Sequence, residues 1–173
     1  MTKVGYMWHL LTSEGIKSDP AKVQAIVDMP RPENKSQVQT LIGCINYLSR
    51  YLPRLATVSE PLRQLTEKDA IFVWQSSQEE SFQQIKEMLI SAPVLKYYDL
   101  TQEVTIQSDA SEYGLGGTIM QNGQPVAFAS RALTKTEQNY AQIEKEALAI
   151  VFSCERFNQY IHGRELVTVK TDH

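Results

Sequence analysis

Apolar and polar positions along the chain change period after Ala92-Pro93, which divides it into two halves of different architecture. Before that point the spacing is helical. Val23, Ile26 and Val27 share one face of a helix opened by Asp19-Pro20, an N-cap followed by proline at the first helical position, and ended near Met29 by Pro30 and Pro32. Asn34 can cap a second helix, on which Val38, Leu41, Ile42, Ile45 and Leu48 form a stripe beside Tyr47 and Tyr51; Pro53 closes it. A short helix around 58–65 follows, then one from about 78 to 89 carrying Phe82, Ile85, Met88 and Leu89. These stripes read as core. Ahead of them, residues 4–12, bounded by Ser13-Glu14-Gly15, predict a hairpin or a pair of short strands.

After Pro93 the period is two. Residues 103–109 alternate, 115–121 are apolar around Gly116-Gly117, Asn122-Gly123 is a strong hairpin signal, and 124–130 pair back. A long helix over about 142–161 carries Ile143, Leu148, Ile150, Val151, Phe157 and Ile161 and stops at Gly163. Leu166, Val167 and Val169 then form a fourth strand, which a crossover helix places parallel to the first and beside it. The fold class expected is α+β with an α/β element: a mostly helical N-terminal half, then a mixed sheet of three antiparallel strands, a helix and a parallel fourth strand.

Composition narrows this only slightly. The 173 residues are ordinary for a globular protein, with 42% hydrophobic and 21% charged side chains and a net charge of −3. The distribution of charge is more informative, because residues 1–102 carry 11 basic and 11 acidic groups and residues 103–173 carry 6 and 9. The acidic surplus in the second half suits cation binding and disfavours unaided contact with a polyanion. Cys44 and Cys154 lack metal or redox spacing and are expected to be buried small apolar groups. No apolar run approaches the ~20 residues of a membrane span, and no signal-peptide pattern opens the chain. An intracellular protein, in cytoplasm or nucleus and without membrane contact, is the expectation.

Three acids are candidates for chemistry: Asp109 in Ser-Asp-Ala-Ser, Glu146 in Ile-Glu-Lys-Glu-Ala-Leu and Asp172 in Lys-Thr-Asp-His. Singly, each reads as a solvated cap or a helix-dipole partner. Together, from a first strand, a helix start and a fourth-strand end, they suit a divalent-metal site for a substrate phosphate.

The strings SDASEYGLGG, NGQPVAFASRALTKTEQNYAQIEKEALAIVF and VKTDH, in this spacing, resemble the RNase H domain of gypsy-type LTR retrotransposon Pol polyproteins. HLLTSEGIKSDPAKVQAI, LIGCINYLSRYLP and Glu60-Pro61-Leu62 are similar to the palm end, thumb and connection of the same reverse transcriptases. The resemblance implies a palm end with a primer-grip-like hairpin at 1–16, a thumb or connection region at 17–98, and an RNase H-like domain at 99–173 cut short at its C-terminus. It implies Mg²⁺ (or Mn²⁺) in an incomplete two-ion site on Asp109, Glu146 and Asp172, acting on the RNA strand of an RNA–DNA hybrid. Glu146 is preferred to Glu144 on the family register; positions two apart on a helix point about 200° apart, so both cannot serve one site. Ser111, Gly114 and Gly116 would lie against the hybrid's minor groove, although glycines there also read as bulges or close strand approaches.

Two features depart from the family pattern. No Tyr-x-Asp-Asp hairpin is present, so the polymerase site is absent, and Trp8 replaces the usual glycine beside His9. The family also continues past Thr-Asp-His, so the expectation is a piece of a polyprotein, working with its remainder, with weak or absent nuclease activity alone. Two alternatives stand beside it. One is a non-catalytic module binding nucleic acid or a partner through Lys35, Arg50, Arg54 and Arg63; the other is a remnant of a decayed element. Trp8, Tyr47, Tyr51 and Trp74 could stack on bases, with core or interface packing the plainer reading.

Overall fold

The computed structural model describes residues 4–171, so Asp172 lies outside the described residues. The chain opens with a three-stranded antiparallel meander: β1 (Val4–Tyr6), β2 (His9–Thr12) and β3 (Gly15–Ser18). A hairpin was expected from the alternation. The third strand pairs with β2 from His9–Ser18 to Thr12–Gly15 across the Ser13-Glu14 turn, and Ile16 on it also exchanges backbone hydrogen bonds with Leu95 at 2.8 and 2.9 Å. Gly15, at φ 144°, lies so close to the Leu95 carbonyl that a side chain would have no room.

Helix α1 (Pro20–Val27) starts as its sequence dictates: Asp19 accepts the Ala21 N–H at 2.9 Å and Pro20 takes the first turn. Helix α2 (Lys35–Tyr47) is capped by Asn34, whose side chain accepts the Gln37 N–H at 3.0 Å. It ends six residues before Pro53, and a 3₁₀ turn (Ser49–Tyr51) carries the chain onward. The single helix expected at 58–65 is two short ones, α3 (Leu55–Val58) and α4 (Glu60–Gln64), broken at Ser59 ahead of Pro61. Helix α5 (Ser76–Ile90) closes the helical region. Ile26, Val38, Leu41, Ile45, Leu62, Phe82, Ile85 and Leu89 are buried together, so the apolar stripes do form one core.

The second half is a four-stranded sheet in the order β6-β5-β4-β7. Strands β4 (Thr105–Ala110), β5 (Gly114–Gln121) and β6 (Gln124–Ala132) are antiparallel, with Asn122 and Gly123 at positive φ in the β5–β6 turn. Strand β7 (Thr168–Thr171) lies parallel to β4, as the crossover requires. Helix α6 (Lys135–Gln138) was not expected, although Thr134 and Glu137 form a capping box. The long helix expected over 142–161 breaks at Phe157 into α7 (Gln142–Arg156) and α8 (Asn158–Ile161). Phe157 is buried under the sheet, and the break lets its ring stay there.

The halves are stitched together. Lys96 donates its backbone N–H to the Pro125 carbonyl, Ala56 donates to Ser130 Oγ at 3.1 Å, and Phe128 packs on the helical core. Gln121, 1% exposed, clamps the 99–102 turn by accepting from Asp99 N–H and donating to the Asp99 and Gln102 carbonyls. Cys44 and Cys154 are half-buried rather than buried, because each sits at the rim of its core. Tyr51 is fully buried and Trp74 packs edge-on to Phe82, which places both in packing; Tyr47 is exposed and lies beside Trp8.

Candidate active site

The candidate site lies at the C-terminal end of β4, where the parallel strand β7 runs beside it with Ser108 opposite Thr171. Crevices at the carboxyl ends of parallel strands are common ligand sites because the chain diverges there. Strand alternation then assigns faces. Ile106, Ser108 and Ala110 point toward α7, packing with Phe157 and Ala149, whereas Gln107 and Asp109 point to the other face.

Asp109 meets a cation from the helical half. Arg54 Nη2 lies 2.8 Å from Asp109 Oδ2, with the arginine side chain 60% and the aspartate side chain 28% exposed. Arg54 has φ 56°, a left-handed conformation uncommon for a residue with a side chain. Asp109, Arg54, Pro53, Gln107, Gly116 and Thr118 line a cavity of about 180 Å³.

Glu146 comes from the first turns of α7 and is 5% exposed. Its Oε1 accepts from Gln142 Nε2 at 2.7 Å, and the same amide donates to the Ala110 carbonyl at 3.1 Å, which ties the acid to the residue after Asp109. Its Oε2 is buried and, among the described residues, without a hydrogen-bond partner. A buried carboxylate oxygen without a partner is costly, and a water or an ion is its usual relief. Glu144 serves the helix itself, being exposed and accepting the Ala141 N–H at 2.8 Å, which seals the helix start.

Ser111, Gly114 and Gly116 lie beneath the chain leading into α3. Ser111 Oγ shares a hydrogen with Thr57 Oγ1 at 2.7 Å and accepts the Gly114 N–H at 3.0 Å. A Cβ on Gly114 would come 3.0 Å from Thr57 Oγ1, and one on Gly116 3.9 Å from Arg54 Cγ. Three of the four cations expected to form a basic face are engaged by the chain itself. Lys35 donates to the Glu67 carbonyl at 2.6 Å, Arg63 to the Ala56 carbonyl at 2.8 Å, and Arg54 holds Asp109; of the four, Arg50 alone has no ion pair or hydrogen bond from its side chain among the described residues. Burial and the Arg50 charge hold His9 below the usual imidazole range, and burial pushes the Tyr51 phenol up to about 12 while it bonds His9 Nδ1 at 2.7 Å.

Sequence reasoning missed the role of Arg54, which carried no signal beyond a basic residue after proline. It also missed Ser108 and Ser153, whose hydroxyls are buried between the sheet and α7 without partners among the described residues.

Residues 74–169 match the family described as the RNase H-like domain found in reverse transcriptase. The chain belongs to that family. Over 172 residues it is 33% identical to the retrovirus-related Pol polyprotein from transposon 297 of Drosophila melanogaster, covering 99% of this chain and 16% of that protein. It is 34% identical over 188 residues to the Pol polyprotein from transposon opus of the same fly, covering 99% and 19%. The chain therefore spans less than a fifth of the length of these relatives and corresponds to one region of a retrotransposon Pol polyprotein. Its fold matches a foamy viral protease-reverse transcriptase in complex with RNA/DNA hybrid, with a TM-score of 0.83 at 19% identity over 99% of this chain and 24% of that one. No described helix is long and apolar enough to cross a membrane.

Proposed function

We propose that this RNase H-like region serves, within a full-length reverse transcriptase, in divalent-metal-dependent hydrolysis of the RNA strand of RNA–DNA hybrids, coupled to RNA-directed DNA synthesis. The observation that carries the reading is a buried Glu146 whose Oε2 has no partner among the described residues and which Gln142 ties to the Ala110 carbonyl, next to Asp109 at the end of β4. Among the described residues no three acids or other ligands form a metal cluster, and the third expected acid, Asp172, lies beyond them.

The donor chemistry fits Mg²⁺ or Mn²⁺, because both described groups are hard carboxylate oxygens and Glu146 Oε2 has no competing partner among the described residues. When bound, such ions activate a water and neutralise charge on the leaving oxygen of a phosphodiester. Asp109 and Glu146, with Asp172, would hold them. Gln142 orients Glu146 by occupying one carboxylate oxygen and leaving the other free. The Ala110 carbonyl anchors Gln142, so the helix acid moves with the strand that carries Asp109. Within this reading, residues 1–16 form a palm end, 17–98 a thumb or connection region, and 99–173 the RNase H-like domain. Nucleic acid and the rest of a polyprotein are the partners.

The test is cleavage of a labelled RNA–DNA hybrid in Mg²⁺ by the chain and by its Asp109→Asn and Glu146→Gln variants, each also placed in a full-length relative. The reading expects slow cleavage by the chain, strong cleavage in the full-length context, and loss of at least about 100-fold with either substitution, as for groups acting in a transition state. Full activity in both full-length variants would refute it.

A further inference from the structure

Asp109 is already neutralised by a cation that the chain itself supplies. Arg54 reaches it from the turn between the 3₁₀ segment and α3, at 2.8 Å, and among the described residues it has no other ion-pair partner. The backbone that delivers it is held in place: Ala56 N–H is fixed to Ser130 Oγ, Thr57 Oγ1 to Ser111 Oγ, and the turn packs so closely on Gly114 that a Cβ there would lie 3.0 Å from Thr57 Oγ1. The left-handed conformation of Arg54 is of the kind that persists where surrounding contacts over-determine it. Its side chain, in contrast, is mostly in water and can swing without disturbing the turn.

We propose that Arg54 is a positioning residue that occupies Asp109 in the metal-free protein and gives way when a divalent ion binds, so that the helical half sets the metal affinity of the sheet. The inference rests on the reading of Asp109 as a metal ligand. A guanidinium stays charged at any working pH, so it cannot be discharged in place. It and a dication seek the same carboxylate and repel each other across the same cavity. Displacement is the remaining route, and it lowers the affinity the acids would otherwise have.

Titration of Mn²⁺ into the whole chain, followed by calorimetry, tests this with wild type, Arg54→Gln, Asp109→Asn and the double variant. The expected result is binding tightened about two- to fivefold by Arg54→Gln, the factor that loss of one partly exposed competing charge allows, and no tightening in the double variant. If Asp109→Asn weakens Mn²⁺ binding while Arg54→Gln leaves it unchanged or weaker, Asp109 is a ligand and Arg54 only a structural tie, which overturns the inference alone. If Asp109→Asn binds Mn²⁺ as wild type does, the metal reading falls and the inference with it. A measurement on unmutated protein guards against a misfolded variant: the Arg54 Nε–Hε resonance should move with saturating Mg²⁺. A resonance that stays fixed while the protein binds Mg²⁺ would overturn the inference.

Discussion

Gly117 on β5 and Ser153 on α7 occupy touching positions: a Cβ on Gly117 would collide with Ser153 Oγ and lie 3.0 Å from Ser153 Cβ and 3.3 Å from Phe157 Cε2. This contact sets how closely α7, and with it Glu146, approaches the strand carrying Asp109. Gly117→Ala should therefore destabilise the fold by ~1–3 kcal/mol, the usual cost of overpacking. Chemical denaturation of Gly117→Ala, Ser153→Ala and the double variant should give a favourable coupling of at least ~0.5 kcal/mol, because removing the hydroxyl relieves part of the collision. Strict additivity would mean that helix and strand do not constrain each other here.

Glu146 should behave as a group kept for function at a cost in stability. Its Oε2 is buried without a partner among the described residues, so Glu146→Gln removes a desolvated charge and should stabilise the metal-free protein by ~1 kcal/mol. For a chain of this size that is a rise of ~2–4 °C in melting temperature. A drop of similar size would assign Glu146 a structural role instead.

Glu137 should show in the acid limb of stability. The Arg131 guanidinium, bonded at 2.8 and 3.0 Å, and the Thr134 N–H hold its carboxyl down at about 2, below its ordinary 4.5. A depressed acid contributes stability above its unfolded value and loses it as pH falls, so the loss should run from about 4.5 down to about 2. Glu137→Gln should cost ~1 kcal/mol at pH 7, from a lost cap and ion pair, and flatten that limb. Denaturant midpoints across pH 2–6 would check both.

Tyr51 should be worth more than its ring. Its hydroxyl donates to the Lys17 carbonyl at 3.1 Å and meets His9 Nδ1 at 2.7 Å, joining the 3₁₀ turn after α2 to β2 and β3. Tyr51→Phe leaves the ring and strands the Lys17 carbonyl, so a loss of ~1–3 kcal/mol is expected in urea unfolding.

Much of the fold was legible in the sequence, for physical reasons specific to each element. Asp19-Pro20 and Asn34 act through bonds to residues two or three away, so their helices start where composition places them. Asn122-Gly123 sets its hairpin by backbone preference alone. The third strand of the opening meander is a local hairpin partner of β2, but its polar Lys17 and Ser18 carry no apolar alternation; only its bridge to Leu95 is long-range. The break at Phe157 was hidden because no proline or glycine marks it in the sequence. At the site, Glu146 and Glu144 separated as helical geometry requires, one inward and one capping. Arg54 was seen as a surface cation, since nothing in its neighbours encodes a left-handed backbone or a carboxylate on a distant strand.

The central claim is that Asp109 and Glu146 belong to one divalent-metal site, and the melting temperature of the chain as a function of Mg²⁺ tests it most directly, because an ion that binds only the folded state must stabilise it. The account predicts a rise that begins at millimolar Mg²⁺ in wild type and is absent in Asp109→Asn and in Glu146→Gln. Equal rises in all three proteins, or none in wild type, would contradict it.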